Sequence, residues 1–184
     1  AVAAATGKPV VFYDIPSRVV VDAEPETISQ LAEIPNVRAV KQAKPSLDAA
    51  RHVVACGLDL YAGDDDLILP FLEVGGIGGV CVHTHVVGPR VKEMVTRYRE
   101  GDVDGARSLD QELRPAIDIL RVQSNPIAIK KALQLLGHEV VHVVVAEYLP
   151  TAKNAQVLDF WDRVGLGLVG ESADGRREYR SDLR

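Results

Sequence analysis

Two short apolar runs each end on a polar side chain capable of chemistry. The first is Val10-Val11-Phe12-Tyr13, continuing Asp14-Ile15-Pro16-Ser17-Arg18, and the second is Val37-Arg38-Ala39-Val40-Lys41. Parallel strands deliver catalytic groups to one end of a sheet in this way. Lys41 closes the most apolar run. If that end is shielded from water, desolvation disfavours the ammonium ion and leaves a free amine, the form that adds to a ketone and makes an imine. Tyr13 ends the preceding strand. Neighbouring parallel strands lie about 4.8 Å apart, so its phenol can meet the amine across a pocket mouth and pass protons during imine formation. Arg18 lies just past the Pro16-Ser17 turn, where its planar fork can take a carboxylate in two hydrogen bonds. A solvated strand-end lysine, a core tyrosine and an exposed loop arginine are the ordinary occupants of such positions, and residue type alone leaves both readings open.

Other groups point less sharply. The acidic run Asp64-Asp65-Asp66 after Gly63 has the ligands of a hard cation, but Asp also gathers at helix N-termini for capping and dipole reasons, and that is the reading preferred here. Cys81, His83 and His85 alternate, so on a strand they share a side and resemble part of a zinc site; no fourth protein ligand stands at readable spacing. No metal is expected. Cys56 and Cys81 form no Cys-x-x-Cys pair and sit in apolar stretches, which reads as two small buried hydrophobes. Gly75-Gly76-Ile77-Gly78 precedes a strand and not a helix, the wrong order for a phosphate loop, and is a turn.

The elements that must position these residues follow from periodicity. Strands are expected at Val10–Tyr13, Val37–Lys41, Asp59–Ala62 and near Gly79–Val82. Between them come a helix opened by Pro25 and stopped by Pro35, a helix over Ser46–Cys56 capped by Ser46 and ended by Gly57, and a short helix over Leu67–Val74. Strands that are apolar throughout and recur every 20 to 27 residues or so indicate a parallel sheet covered by helices, built from four βα units. Helices then follow at about Pro89–Glu100, at Val103–Leu120 with a kink at Pro115, at Pro126–Leu136 after the Asn125 cap, and at about Ala152–Val164. The resulting organisation is residues 1–100 as the βα units, 101–168 as a helical extension and 169–184 as a charged, disordered tail, with no domain boundary before that tail.

The chain has 184 residues, 47% hydrophobic and 26% charged, with a net charge of -5. That is the composition of a globular protein with one substantial core. Its charges are interspersed, so the basic stripe of a nucleic-acid binder is missing. The apolar runs fall short of the roughly 18 residues of a membrane span, and no leader-like segment opens the chain; a cytoplasmic location is expected. The Ala-rich start reaches its first strand at once, which suggests a piece of something longer.

Five motifs in order resemble one family: Tyr13-Asp14-Ile15-Pro16-Ser17-Arg18, Val40-Lys41-Gln42-Ala43, Gly63-Asp64-Asp65, the Gly-Gly-x-Gly turn into the fourth strand, and Asn125-Pro126-Ile127. Over about residues 8–168 they are similar to dihydrodipicolinate synthase and the related pyruvate-dependent class I aldolases and lyases. The resemblance implies a (β/α)8 TIM barrel, of which this chain holds the last four βα units and a C-terminal helical extension, with the N-terminal half barrel missing. It implies that Lys41 forms the Schiff base with pyruvate, that Tyr13 relays protons, that Arg18 holds the carboxylate of aspartate semialdehyde, and that Gly63 and Val80 line the pyruvate pocket through backbone groups. No metal or organic cofactor is implied. The family's Gly-Thr-Thr-Gly-Glu motif and second relay tyrosine belong to the missing half, so the chain alone is expected to be inactive; the complete protein is expected to be a homo-oligomer. Alternatives are a lyase or aldolase of 2-keto-3-deoxy sugar acids or N-acetylneuraminate, and a non-catalytic scaffold relative.

Overall fold

A computed structural model describes residues 2–123, 125–138, 143–148 and 167–182. Residues 1–135 and 136–184 form two compact units. In the first, strands β1 (Val10–Asp14), β2 (Val37–Gln42), β3 (Asp59–Ala62) and β4 (Gly78–Gly79) pair in that order, all parallel. The helices between and after them are α1 (Pro16–Val19), α2 (Pro25–Ala32), α3 (Leu47–Ala55), α4 (Ile68–Leu72), α5 (Thr84–Arg99), α6 (Val103–Leu120) and α7 (Ile127–Leu135). The unit is α/β with a parallel sheet, as the alternation of elements leads one to expect.

Local chemistry sets the helix ends. Pro25 occupies the first turn of α2, and Ser46 Oγ accepts a hydrogen bond from the Ala49 N–H at 3.2 Å to open α3. Gly57 closes α3 with φ 77°, a left-handed conformation that costs glycine little. Asp102 caps α6, whose buried Ala106, Leu109, Leu113, Ile117 and Leu120 step by three or four residues. The core lies on one face of the sheet: Val40, Leu60 and Ala62 pack with Val53, Ile68, Phe71, Val91 and Met94. The opposite face carries Val11, Tyr13, Lys41 and Tyr61, of which Val11 and Tyr13 are exposed.

Several expectations are corrected. The fourth strand is only Gly78–Gly79, because Val82 and His83 turn at once into α5. Helix α5 begins five residues before Pro89 and is interrupted at Val87 (φ -119°, ψ 21°), while α6 runs through Pro115 without a break. The chain does divide before its tail, between residues 135 and 136. The second unit is not purely helical: β5 (Val143–Tyr148), β6 (Gly167–Glu171) and β7 (Arg177–Asp182) form an antiparallel sheet of order β5-β7-β6. The tail expected to lack order thus supplies β7 and most of β6. The turn between them is held by Ser172, Asp174 and Gly175 (φ 81°), and Tyr179 is fully buried; these polar and aromatic residues outweigh the tail's shortage of aliphatic ones. The helix expected at 152–164 lies outside the described residues.

Candidate active site

Register places the candidate residues. Tyr13 on β1 pairs with Lys41 on β2, and Lys41 pairs with Tyr61 on β3. Side chains alternate along a strand, so all three stand on the same open face, near the C-terminal ends of their strands. The Lys41 ammonium nitrogen lies over the Tyr13 ring, 4.0 Å from its centroid, a cation–π contact worth about 0.5–1 kcal/mol at an exposed position. Lys41 is half-buried and Tyr13 is 43% exposed, so this mouth is more open than the apolar flanks of Lys41 suggest.

Behind this row, on the helix side, the next residues lock the strand ends together. Asp14 is buried and pairs with Gln42 in the register. Its carboxylate binds Lys44 Nζ at 3.0 Å, and Lys44 also binds Asp22 and donates to the Ala23 carbonyl at 3.3 Å. Gln42 donates to the carbonyls of Lys44 (3.1 Å) and Ser46 (2.9 Å), fixing the loop that leaves β2. Burial works against the Lys44 charge, but the hydrogen bonds to Asp22 and Asp14 outweigh it and raise its pKa. Two lysines three residues apart therefore differ: Lys44 is a committed cation, whereas Lys41 faces the open side with a phenol for a neighbour.

Gly63 and Val80 stand at the ends of β3 and β4. The Gly63 N–H donates to the Gln42 carbonyl at 2.7 Å, and a Cβ on Gly63 would come within 2.8 Å of the Ala43 Cβ and 3.1 Å of its backbone. Only glycine fits that approach. The Val80 N–H donates to the Ala62 carbonyl at 2.9 Å, and its side chain is 56% exposed. Arg18 is exposed on α1, and among the described residues no hydrogen bond or ion pair joins it to Lys41.

The acidic run has structural partners. Asp65 Oδ1 accepts from the Val82 N–H (2.7 Å) and the His83 N–H (3.2 Å) and sits 2.9 Å from Nδ1 of His83, itself 1% exposed. Burial pushes the Asp65 carboxyl up, yet the His83 bonds win and hold it below the usual carboxylate range. Asp66 pairs with Arg121 at 2.7 Å. Burial first, then Asp66, raises the Asp64 carboxyl, with Arg121 and Lys41 pulling the other way. Asp64 lines a cavity of about 290 Å³ with Gly63, Arg121 and Asn125.

The zinc grouping of Cys81, His83 and His85 does not form. The Cys81 thiol donates to the carbonyls of Ala62 (3.3 Å) and Asp64 (3.4 Å), and burial pushes its pKa up to about 12. His83 is engaged by Asp65, and among the described residues no three His, Cys, Asp or Glu side chains are placed to hold an ion. Cys56, read from sequence as buried, is half-exposed.

Comparison with known proteins gives the family. A family model described as the dihydrodipicolinate synthetase family matches residues 1–157. The chain belongs to that family. The match starts at the first residue and leaves the end of the chain outside it. The chain is 43% identical over 140 residues to the 4-hydroxy-tetrahydrodipicolinate synthase of Moorella thermoacetica, covering 74% of this chain and 48% of that one. It is 40% identical over 163 residues to 4-hydroxy-tetrahydrodipicolinate synthase 2 of Halalkalibacterium halodurans, covering 87% and 56%. Among solved structures, dihydrodipicolinate synthase from Aquifex aeolicus superposes with a TM-score of 0.71 at 33% identity, over 74% of this chain and 48% of that one. The synthase of Methylacidiphilum fumariolicum gives 0.73 at 33% identity, over 88% and 54%. The chain thus spans about half the length of the curated relatives it matches.

Two features of this family member escape a reading by motif. Tyr61 ends its run as Tyr13 and Lys41 end theirs, a signal present in the sequence. The Asp14–Lys44–Asp22 cluster joins residues with no periodic relation, and only the fold brings them together.

Proposed function

We propose that this chain is the half of a (β/α)8 barrel made of units five to eight, and that the complete protein condenses pyruvate with L-aspartate 4-semialdehyde through an imine on Lys41. The register pair of Tyr13 and Lys41, with the amine 4.0 Å from the ring, is the observation that carries the reading. The relatives named as synthases support the same reaction class.

The Lys41 amine adds to the keto carbon of pyruvate to give a carbinolamine, which loses water to become an iminium ion. The iminium acts as an electron sink, the methyl group gives up a proton, and the resulting enamine forms a carbon–carbon bond to the aldehyde. Tyr13 supplies and removes protons at the carbinolamine and at the new alkoxide. The amine of the bound product then displaces Lys41 from the imine, closing the ring and freeing the lysine. Gly63 and Val80 present backbone groups at the pyruvate pocket, Arg18 holds the aldehyde's carboxylate, and the reaction needs no metal or organic cofactor.

The test is turnover in a chain completed with the remaining half of a relative's barrel. Condensation of pyruvate with aspartate semialdehyde is expected, lost in Lys41→Ala and reduced with a raised KM for the aldehyde in Arg18→Ala. Turnover that survives Lys41→Ala, or an Arg18→Ala protein unaffected with this aldehyde, would refute the assignment.

A further inference from the structure

When an iminium ion becomes an enamine, the methyl group must give a proton to an acceptor beside it. The two flanks of Lys41 differ in what they offer. On the β1 flank the Tyr13 ring lies against the amine, 4.0 Å from centroid to nitrogen. That contact is with the face of the ring, and among the described residues no hydrogen bond joins the amine to the Tyr13 hydroxyl. On the β3 flank stands Tyr61, which pairs in register with Lys41 on one side and with Gly78 of β4 on the other.

Neighbouring parallel strands lie about 4.8 Å apart and registered side chains leave the same face, so the Tyr61 ring and the Lys41 amine rise side by side. Gly78 contributes no side chain, and a Cβ there would meet no atom within 4 Å, so the space on the far side of the Tyr61 ring is open. Two positions further along these strands the same face carries Gly63 and Val80, which present backbone groups to pyruvate in the proposed reaction. A keto acid joined to the Lys41 nitrogen meets the Tyr13 ring on one flank; on the other it extends over Tyr61 toward Gly78, below Gly63 and Val80. Tyr61 is half-buried, and among the described residues no hydrogen bond engages its hydroxyl. No buried side-chain oxygen among them lacks a partner, so this unbonded hydroxyl touches solvent.

We propose that Tyr61 is a further catalytic residue, the acceptor of the methyl proton in the step from iminium to enamine; the assignment rests on the imine reading of Lys41. The Tyr61 oxygen takes one methyl hydrogen as a proton while its own proton passes to a solvent water. The electron pair of the broken C–H bond forms the C=C bond, and the C=N pair moves onto the lysine nitrogen. A neutral enamine and a neutral phenol remain, with the proton in solvent. Tyr13 keeps the protons of the carbinolamine and the alkoxide, so two phenols serve one amine from its two flanks.

The experiment gives pyruvate in D2O, without aldehyde, to the barrel completed with a relative's remaining half. Enamine formation is read by NMR as deuterium entering the methyl group, and the iminium by peptide mass spectrometry as the borohydride adduct on Lys41. In Tyr61→Phe the adduct is expected to form in the parent's amount, which also reports an intact fold, while exchange slows by at least about tenfold, against the ~100-fold or more typical of a positioned acid–base group. Exchange that slows by less than about tenfold overturns the proposal. An adduct that falls in step with the exchange does so too, because Tyr61 then only shapes the pocket. A parent protein without an adduct on Lys41 removes the imine reading itself and the role of Tyr61 with it, whereas a Lys41 adduct with undiminished exchange in Tyr61→Phe removes the role of Tyr61 alone.

Discussion

The contrast between Lys41 and Lys44 is a matter of faces. One residue's alternation along β2 puts Lys41 on the open side and Gln42 on the helix side, and the loop then brings Lys44 back between Asp14 and Asp22. Sequence alone favours Lys41 for its apolar flanks; in the fold the residue is half-buried, and what distinguishes it is its neighbour Tyr13. Gly63 shows the same dependence on placement, since its need for glycine comes from Ala43, twenty positions earlier. Gly63→Ala forces a 2.8 Å contact on the loop after β2, and is expected to destabilise the fold by about 1–3 kcal/mol in denaturant unfolding. A loss under about 0.5 kcal/mol would show that the two loops are not packed so closely.

At the scale of elements, α1 ends on Val20, a β-branched residue at φ 65° and ψ 0°. Its side chain is 90% exposed, so no packing offsets the strain. Val20→Gly is expected to raise stability by about 1 kcal/mol, the relief of the left-handed valine less the entropy of glycine; an unchanged or lower Tm would contradict this. The Asp65–His83 link joins the loop after β3 to α5. A carboxyl held below its unfolded value near 3.8 contributes stability that is complete above that pH and is lost as pH falls through the lower folded value. Asp65→Asn should therefore cost about 1–3 kcal/mol at neutral pH and flatten the acid limb of unfolding below about pH 4. A variant as stable as the parent at pH 7 would refute the role. Helices α2, α3, α4, α6 and α7 and the first three strands were legible because periodicity, Pro and Gly mark them, whereas α1 and the early start of α5 were not. The shortened β4 was not, since the turn into α5 depends on Asp65 capping from another loop.

For the whole molecule, the four-stranded sheet covers one face with helices and leaves the other with Val11, Tyr13 and Val80 exposed, while β1 and β4 end the sheet without a further strand among the described residues. Such edges and apolar faces promote association. The 184-residue chain by itself is expected to self-associate in light scattering and to condense pyruvate far more slowly than the completed barrel; a monomeric chain with comparable turnover would refute the half-barrel assignment. The α/β architecture could be read from the order of strands and helices. The second sheet could be read only in part: β5, Val143-Val144-Val145-Ala146-Glu147-Tyr148, is an apolar β-branched run that signals a strand and that a helical extension over 101–168 passes over, whereas β7 is polar and its burial rests on Tyr179. The proposed imine mechanism turns on which amine takes the keto acid. Borohydride reduction of the completed protein with pyruvate, followed by peptide mass spectrometry, is predicted to place a single reduced adduct on Lys41 and none on Lys44. An adduct on another lysine, or no adduct at all, would contradict it.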